Sequence, residues 1–90
     1  MRFEWDEVKR LQNLEKHGID FVRAQEVFDG RPTFTRDSPR VDEARFVTVA
    51  PLLGDFCAVV WTLRESSTVR IISARRARHD EERAYRELHG

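Results

Sequence analysis

Three apolar runs dominate the second half of the chain: Arg45–Leu52, Phe56–Leu63 and Val69–Ala74. They are rich in valine, isoleucine and aromatic residues, and only the turns PLLGD and RESST part them. A parallel pair needs a crossover of about a dozen residues or more, so links this short admit only sequential antiparallel strands. The first thirty residues keep a different, helical period. Asp6 can cap a helix over about Glu7–His17, with acids at its start, Lys16 and His17 at its end, and Gly18 as the C′ residue. Trp5, Val8, Leu11 and Leu14 recur every three residues as its apolar stripe. Asp20 can cap a second helix, Phe21–Phe28, with Phe21, Ala24, Val27 and Phe28 turned inward and Gly30 ending it. The stretch from Gly30 to Ala44 reads as a turn-rich connector holding one short strand, Thr33–Arg36. His79–His89 closes the chain as a helix with Ala84, Tyr85 and Leu88 buried. The order specifies one α+β domain over residues 1–90. It has an N-terminal helix hairpin, an antiparallel sheet of three to four strands covered on one face, and a C-terminal helix.

Several functional classes are excluded by what is missing. No apolar stretch approaches the roughly 20 residues of a membrane helix, and MRFEWDEVKR lacks the apolar middle of a signal peptide. Cys57 is the lone cysteine, which leaves no internal disulfide and no cysteine-based zinc site, and makes a reducing cytoplasm the expected compartment. His17, His79 and His89 do not form an HExxH motif, and there is no P-loop, GxGxxG or GxSxG. No metal and no cofactor is expected. Cys57 and Tyr85 read as packing residues, and Trp5 and Trp61 as core rather than base-stacking platforms.

The charges cancel, with 16 Lys+Arg against 16 Asp+Glu, yet they are unevenly spread. All the cations but Lys9 and Lys16 are arginine, the residue suited to bidentate phosphate contacts. Residues 64–78 hold Arg64, Arg70, Arg75, Arg76 and Arg78 against Glu65 alone. A local basic cluster in a neutral chain reads as a site rather than a general nucleic-acid coat. Strict alternation along the last strand puts Val69, Ile71, Ser73 and Arg75 on one face, and Arg70, Ile72, Ala74 and Arg76 on the other. Arg64 lies at the hairpin end, ~20 Å from Arg75 and Arg76, so one phosphate cannot be shared by all of them. An extended ligand with several phosphates can touch the whole set.

RNA can be cut without a metal when its 2′-hydroxyl attacks the neighbouring phosphate. That step needs a proton carrier and a positive clamp. Histidine and arginine are the side chains for those tasks, and His17 lies at a helix end where the dipole favours positive charge.

The segments FEWDEVKRLQNLEKHGIDF, AQEVFDG, VRIISARRA and EERAYRE together resemble the BrnT family of type II toxins. The landmarks are Trp5-Asp6, Asn13 with Lys16-His17-Gly18, Phe21 with Val27-Phe28, Ala44-Arg45-Phe46, Thr62 with Arg64, and Arg70 to Ala77. Ala44 stands where the family commonly has glutamate. The resemblance implies a RelE-like fold and an RNA endonuclease that arrests growth. It also implies a BrnA-like antitoxin whose ribbon-helix-helix domain alone contacts operator DNA. Carried over by motif, it nominates His17 as proton carrier, Arg75 as phosphate clamp, and Arg64 and Arg76 as catalytic-site contacts to the RNA backbone. Arg70, Arg78 and Arg64 are the expected RNA-binding residues. The competing reading is a non-catalytic module that binds a protein or nucleic acid through the same arginines.

Overall fold

The structure, a computed structural model, describes residues 1–39 and 42–90. One sheet of five strands is built from β1 (Arg2–Glu4), β2 (Phe34–Ser38), β3 (Arg45–Leu52), β4 (Asp55–Arg64) and β5 (Thr68–Arg76), in the order β1-β5-β4-β3-β2. The three long apolar runs are β3, β4 and β5, and they pair antiparallel as their links require. The connector strand is β2, antiparallel to β3. Arg40 and Val41 of that connector lie outside the described residues. The sheet departs from the expected three to four antiparallel strands because β1 adds a parallel edge, with Phe3 opposite Val69. Three residues show no period of their own. What places β1 is Phe3, which packs on the core beneath β5.

The helices form where their caps are. Asp6 accepts hydrogen bonds from the Val8 and Lys9 amides at 2.9 and 3.2 Å and opens α1 (Glu7–His17). Gly18 ends it at φ 73°, a conformation that glycine adopts without penalty. The second expected helix is one α-helical turn, α2 (Phe21–Ala24), followed by a 3₁₀ turn, Gln25–Phe28. The tighter winding brings every third residue into line. Phe21, Ala24 and Val27 are thereby all buried. The last helix is α3 (His79–His89).

Both faces of the sheet are covered, not one. Phe21, Ala24 and Val27 pack with Ala50, Leu52, Cys57, Val59, Val69, Ile71 and Ala74 on one face. On the other, Val47, Val49 and Ala58 meet Phe34, Phe56, Val60 and Tyr85 of α3. Helix α1 lies on neither face. It runs along the edge of β5 that β1 leaves free, and its one buried residue is Asn13. The Asn13 amide takes the place of a strand. Its Nδ2 donates to the Ala74 and Ile19 carbonyls at 2.7 and 3.0 Å, and its Oδ1 accepts from the Ala74 amide at 3.2 Å.

This contact turns the expected apolar stripe away from the core. Val8, Leu11 and Leu14 are 63, 53 and 37% exposed. Leu88, expected to be buried in α3, is also exposed, while Tyr85 is half-buried against Phe56. Polar satisfaction at the sheet edge outranks the burial of three aliphatic side chains, because an orphaned buried backbone group costs about 1–3 kcal/mol. Asn13→Leu keeps the size and removes the donors and the acceptor. It is expected to lower unfolding free energy by about 2–4 kcal/mol in chemical denaturation.

Candidate nucleic-acid interface

The site begins with one extra residue. Trp61 pairs with Ile71 and Val60 with Ser73, so Ile72 has no partner on β4. Such a bulge reverses the facing of all that follows. Strict alternation set Arg75 with Ile71 and opposite Arg70; the bulge corrects this. Val69, Ile71 and Ala74 now share the α2 face. Arg70, Ser73 and Arg75 share the other, since their partners Thr62, Val60 and Ala58 alternate along β4 and Val60 and Ala58 belong to the α3-side core.

The same register carries cations in from two more strands. Arg36 lies beside Val47 and Arg45 alternates with it, so both project with α3. Arg64 follows in phase from Val60 and Thr62. Five arginines from four consecutive strands, Arg36, Arg45, Arg64, Arg70 and Arg75, therefore face one way. Arg36 and Arg45 escaped the sequence reading, although their alternation with Phe34 and Val47 is the signal that finds them.

Part of this face is locked. Glu81, in the first turn of α3, is only 2% exposed and sits above the middle of the sheet. Arg75 donates to it twice, at 2.8 and 2.9 Å. Arg36 reaches it from the far strand at 2.9 Å, and the Arg78 amide donates at 2.7 Å. Burial alone pushes the Glu81 carboxyl up, but the hydrogen bonds from Arg75, the Arg78 amide and Arg36 outweigh it and hold it at about 2. The same contacts raise Arg75. Glu81 was not nominated from the sequence, where it is one acid among three in a helix start.

The rest of the face is open. Arg45, Arg64 and Arg70 line a cleft of about 180 Å³ with Thr62, Glu43 and, from α1, Asp6 and Lys9. Acids at its rim pair with the cations: Glu43 meets Arg45 at 2.7 Å and Arg64 at 3.9 Å, and Glu4 meets Arg70 at 2.7 Å. Lys9 and Ile72 are also walls of a second depression, about 240 Å³, which runs along α1 past Gln12 and Lys16 to His17. His17 in turn walls a third, about 180 Å³, with Arg76 and Asp55. The three form one track from Arg64 to Arg76.

The structure thus brings His17 and Arg76 together, and Arg64 and Arg70 together, at opposite ends of the track. It does not bring Arg75 to His17. Arg76 is 78% exposed and pairs with Asp55 at 2.9 Å. Arg78 stands exposed at the start of α3. Cys57 is buried, and burial pushes its thiol up to about 11, which leaves it inert as a nucleophile. His89 holds the Thr33 carbonyl at 2.7 Å, joining α3 to the approach of β2. Among the described residues, no three His, Cys, Asp or Glu side chains gather as metal ligands do. Among the described residues, no helix is long and apolar enough to cross a membrane.

Comparison with known proteins bears on the family and the fold. Residues 5–81 match the family model described as the ribonuclease toxin BrnT of type II toxin–antitoxin systems. The chain is similar to the crystal structure of the Brucella abortus ribonuclease toxin BrnT, with a TM-score of 0.69 and 29% identity over 88% of this chain and 99% of that one. No curated protein sequence matches.

Glu81 generates a signed prediction. Its carboxyl is held below the ordinary 4.5, so the stability it contributes is present above pH 4.5 and is lost as pH falls toward 2. Glu81→Gln is expected to cost on the order of 3 kcal/mol at pH 7. In urea melts at stepped pH, the gap to wild type should close between pH 5 and pH 2.

Proposed function

The chain belongs to the BrnT family of ribonuclease toxins of type II toxin–antitoxin systems, and from that premise we propose that it cuts RNA without a metal, along the α1 track. The observation that supports this most is the face of Arg45, Arg64 and Arg70 leading into the groove that ends at His17. A single RNA strand laid on the face meets Arg45, Arg64 and Arg70 first. Arg70 and Arg76 lie six residues apart on one strand, ~20 Å, which spans several phosphates. The ion pairs Arg70–Glu4, Arg64–Glu43 and Arg76–Asp55 lie toward solvent and are worth little in water, so a phosphate displaces those contacts at small cost, while Arg45 keeps its closer pair with Glu43.

At the far end the 2′-hydroxyl attacks its own phosphate. The hydroxyl proton leaves to a base, the 5′-oxygen departs and takes a proton, and a 2′,3′-cyclic phosphate remains. His17 is the proton carrier. Arg76, in the same cleft, holds the crowded phosphate as its charge grows. The clamp role nominated for Arg75 passes to Arg76, because both terminal nitrogens of Arg75 are engaged on Glu81. Arg75 serves as a fixed positive floor, and Arg78 extends the face at its α3 border. A BrnA-like antitoxin silences the enzyme.

The test incubates purified protein with bulk RNA in EDTA, beside His17→Ala, Arg76→Ala and Arg64→Ala. Wild type is expected to cut. His17→Ala should lose about 10²-fold or more. Arg64→Ala should weaken RNA binding and lower the salt slope by about one unit. All variants should keep the wild-type circular dichroism. Intact RNA at high protein excess, with no antitoxin co-purified, would defeat the catalytic reading and favour the binding module.

A further inference from the structure

On the sheet face opposite the arginines, between the 3₁₀ turn and the outer strands, lies a pocket of about 240 Å³. Phe28 and Trp61 wall it, their rings edge to face at 5.3 Å. Trp61 is backed by Phe46 at 4.7 Å, which fixes the indole plane. Trp61 packs against the α2-side core, as the sequence implies, and leaves the rest of its surface open. Thr35 and Thr48 line the pocket from β2 and β3, and the proposed cleavage uses none of these groups.

The polar groups form one hydrogen-bonded chain. The Trp61 indole N–H donates to the Thr48 hydroxyl at 2.8 Å. Thr48 is 2% exposed, so its own proton needs an acceptor, and Thr35 Oγ1 stands at 2.8 Å. Thr35, itself exposed, then keeps its proton for the pocket. A chain of donors polarised this way strengthens its last member. At the rim Arg31 is immobile, tied to Asp29 at 2.8 Å and to the Pro51 carbonyl at 2.6 Å. The volume is below the roughly 300 Å³ of a drug-sized site, so it suits one ring system rather than a whole nucleotide.

We propose that this pocket binds a nucleobase, stacked against Trp61 and Phe28 with a ring acceptor on the Thr35 hydroxyl. A base from a single RNA strand and a base from a free nucleotide present the same chemistry. The site deepens the ribonuclease reading only if the strand is the source.

The test uses Trp5→Phe, which leaves Trp61 as the sole tryptophan, excited on the red edge where Tyr85 does not absorb. The probes are adenosine and uridine monophosphates, ribose 5-phosphate, and a 2′-O-methyl oligoribonucleotide that cannot be cut. Saturable quenching by the monophosphates, weakened at least fivefold by Thr35→Val and absent with ribose 5-phosphate, is the expected result and identifies free nucleotides as sufficient. The same pattern with the oligonucleotide alone supports the site and assigns it to the strand. Equal quenching by ribose 5-phosphate, or none by any base-bearing probe, overturns it. Adding His17→Ala separates the two ideas: it abolishes cutting if the ribonuclease reading holds, while base binding at Trp61 is unchanged.

Discussion

Ile72 has a neighbour on either side in its own strand and none opposite it on β4, and the facing of Ser73, Ala74, Arg75 and Arg76 follows from that mismatch. Without it, β5 would set Arg70 and Arg76 on one face and Arg75 on the other; the bulge exchanges the last two. With it, Arg70 and Arg75 join Arg36, Arg45 and Arg64, while Ala74 drops into the core that Ile71 already occupies. The bulge sits where β5 has lost β1 and gained α1. Immediately beyond it, the Asn13 amide accepts and donates at Ala74, completing the backbone pairing that a regular strand would have supplied. Irregularity and compensation are adjacent because each makes the other possible.

Gathering five guanidinium groups on one surface opposes folding by mutual repulsion, and the structure answers in two ways. Glu81 is buried and saturated, and it joins Arg36 to Arg75 across two intervening strands. Glu4 and Glu43, paired with Arg70, Arg64 and Arg45, are peripheral and partly hydrated. A buried carboxylate with four donors acts as structure, because removing it strands two charges. A surface carboxylate acts as a placeholder, because it can be exchanged. The zero net charge of the chain thus conceals a division between arginines committed to the fold and arginines available to a ligand.

Much of this was legible from the residues. Asp6 and Gly18 mark both ends of α1, the short turns dictate the antiparallel order of β3 to β5, and the Arg64–Arg78 cluster locates the cationic region. What escaped has physical causes. Three residues cannot show a period, so β1 was invisible. A bulge leaves no mark in a run of alternating apolar residues, so Arg75 was assigned to the wrong face. The apolar stripe of α1 implied burial, but the contact that orients the helix is polar and reaches 61 residues along the chain. The motifs resembling BrnT supplied the family, and only the folded register shows that His17 keeps company with Arg76 instead of Arg75.

The reach of the Asn13 contact has a consequence in time. Strand β5 receives α1 and β1 from the opposite end of the chain, through Asn13 to Ala74 and through Glu4 to Arg70, separated by 61 and 66 residues. During synthesis the N-terminal segment emerges first and must wait, its amide group hydrated and its strand unpaired, until most of the polypeptide exists. The groove between Lys9 and Ser73 has only one wall until then. A nascent chain is therefore unable to assemble the surface that would handle RNA beside the ribosome making it, and competence arrives only with the last third of the sequence.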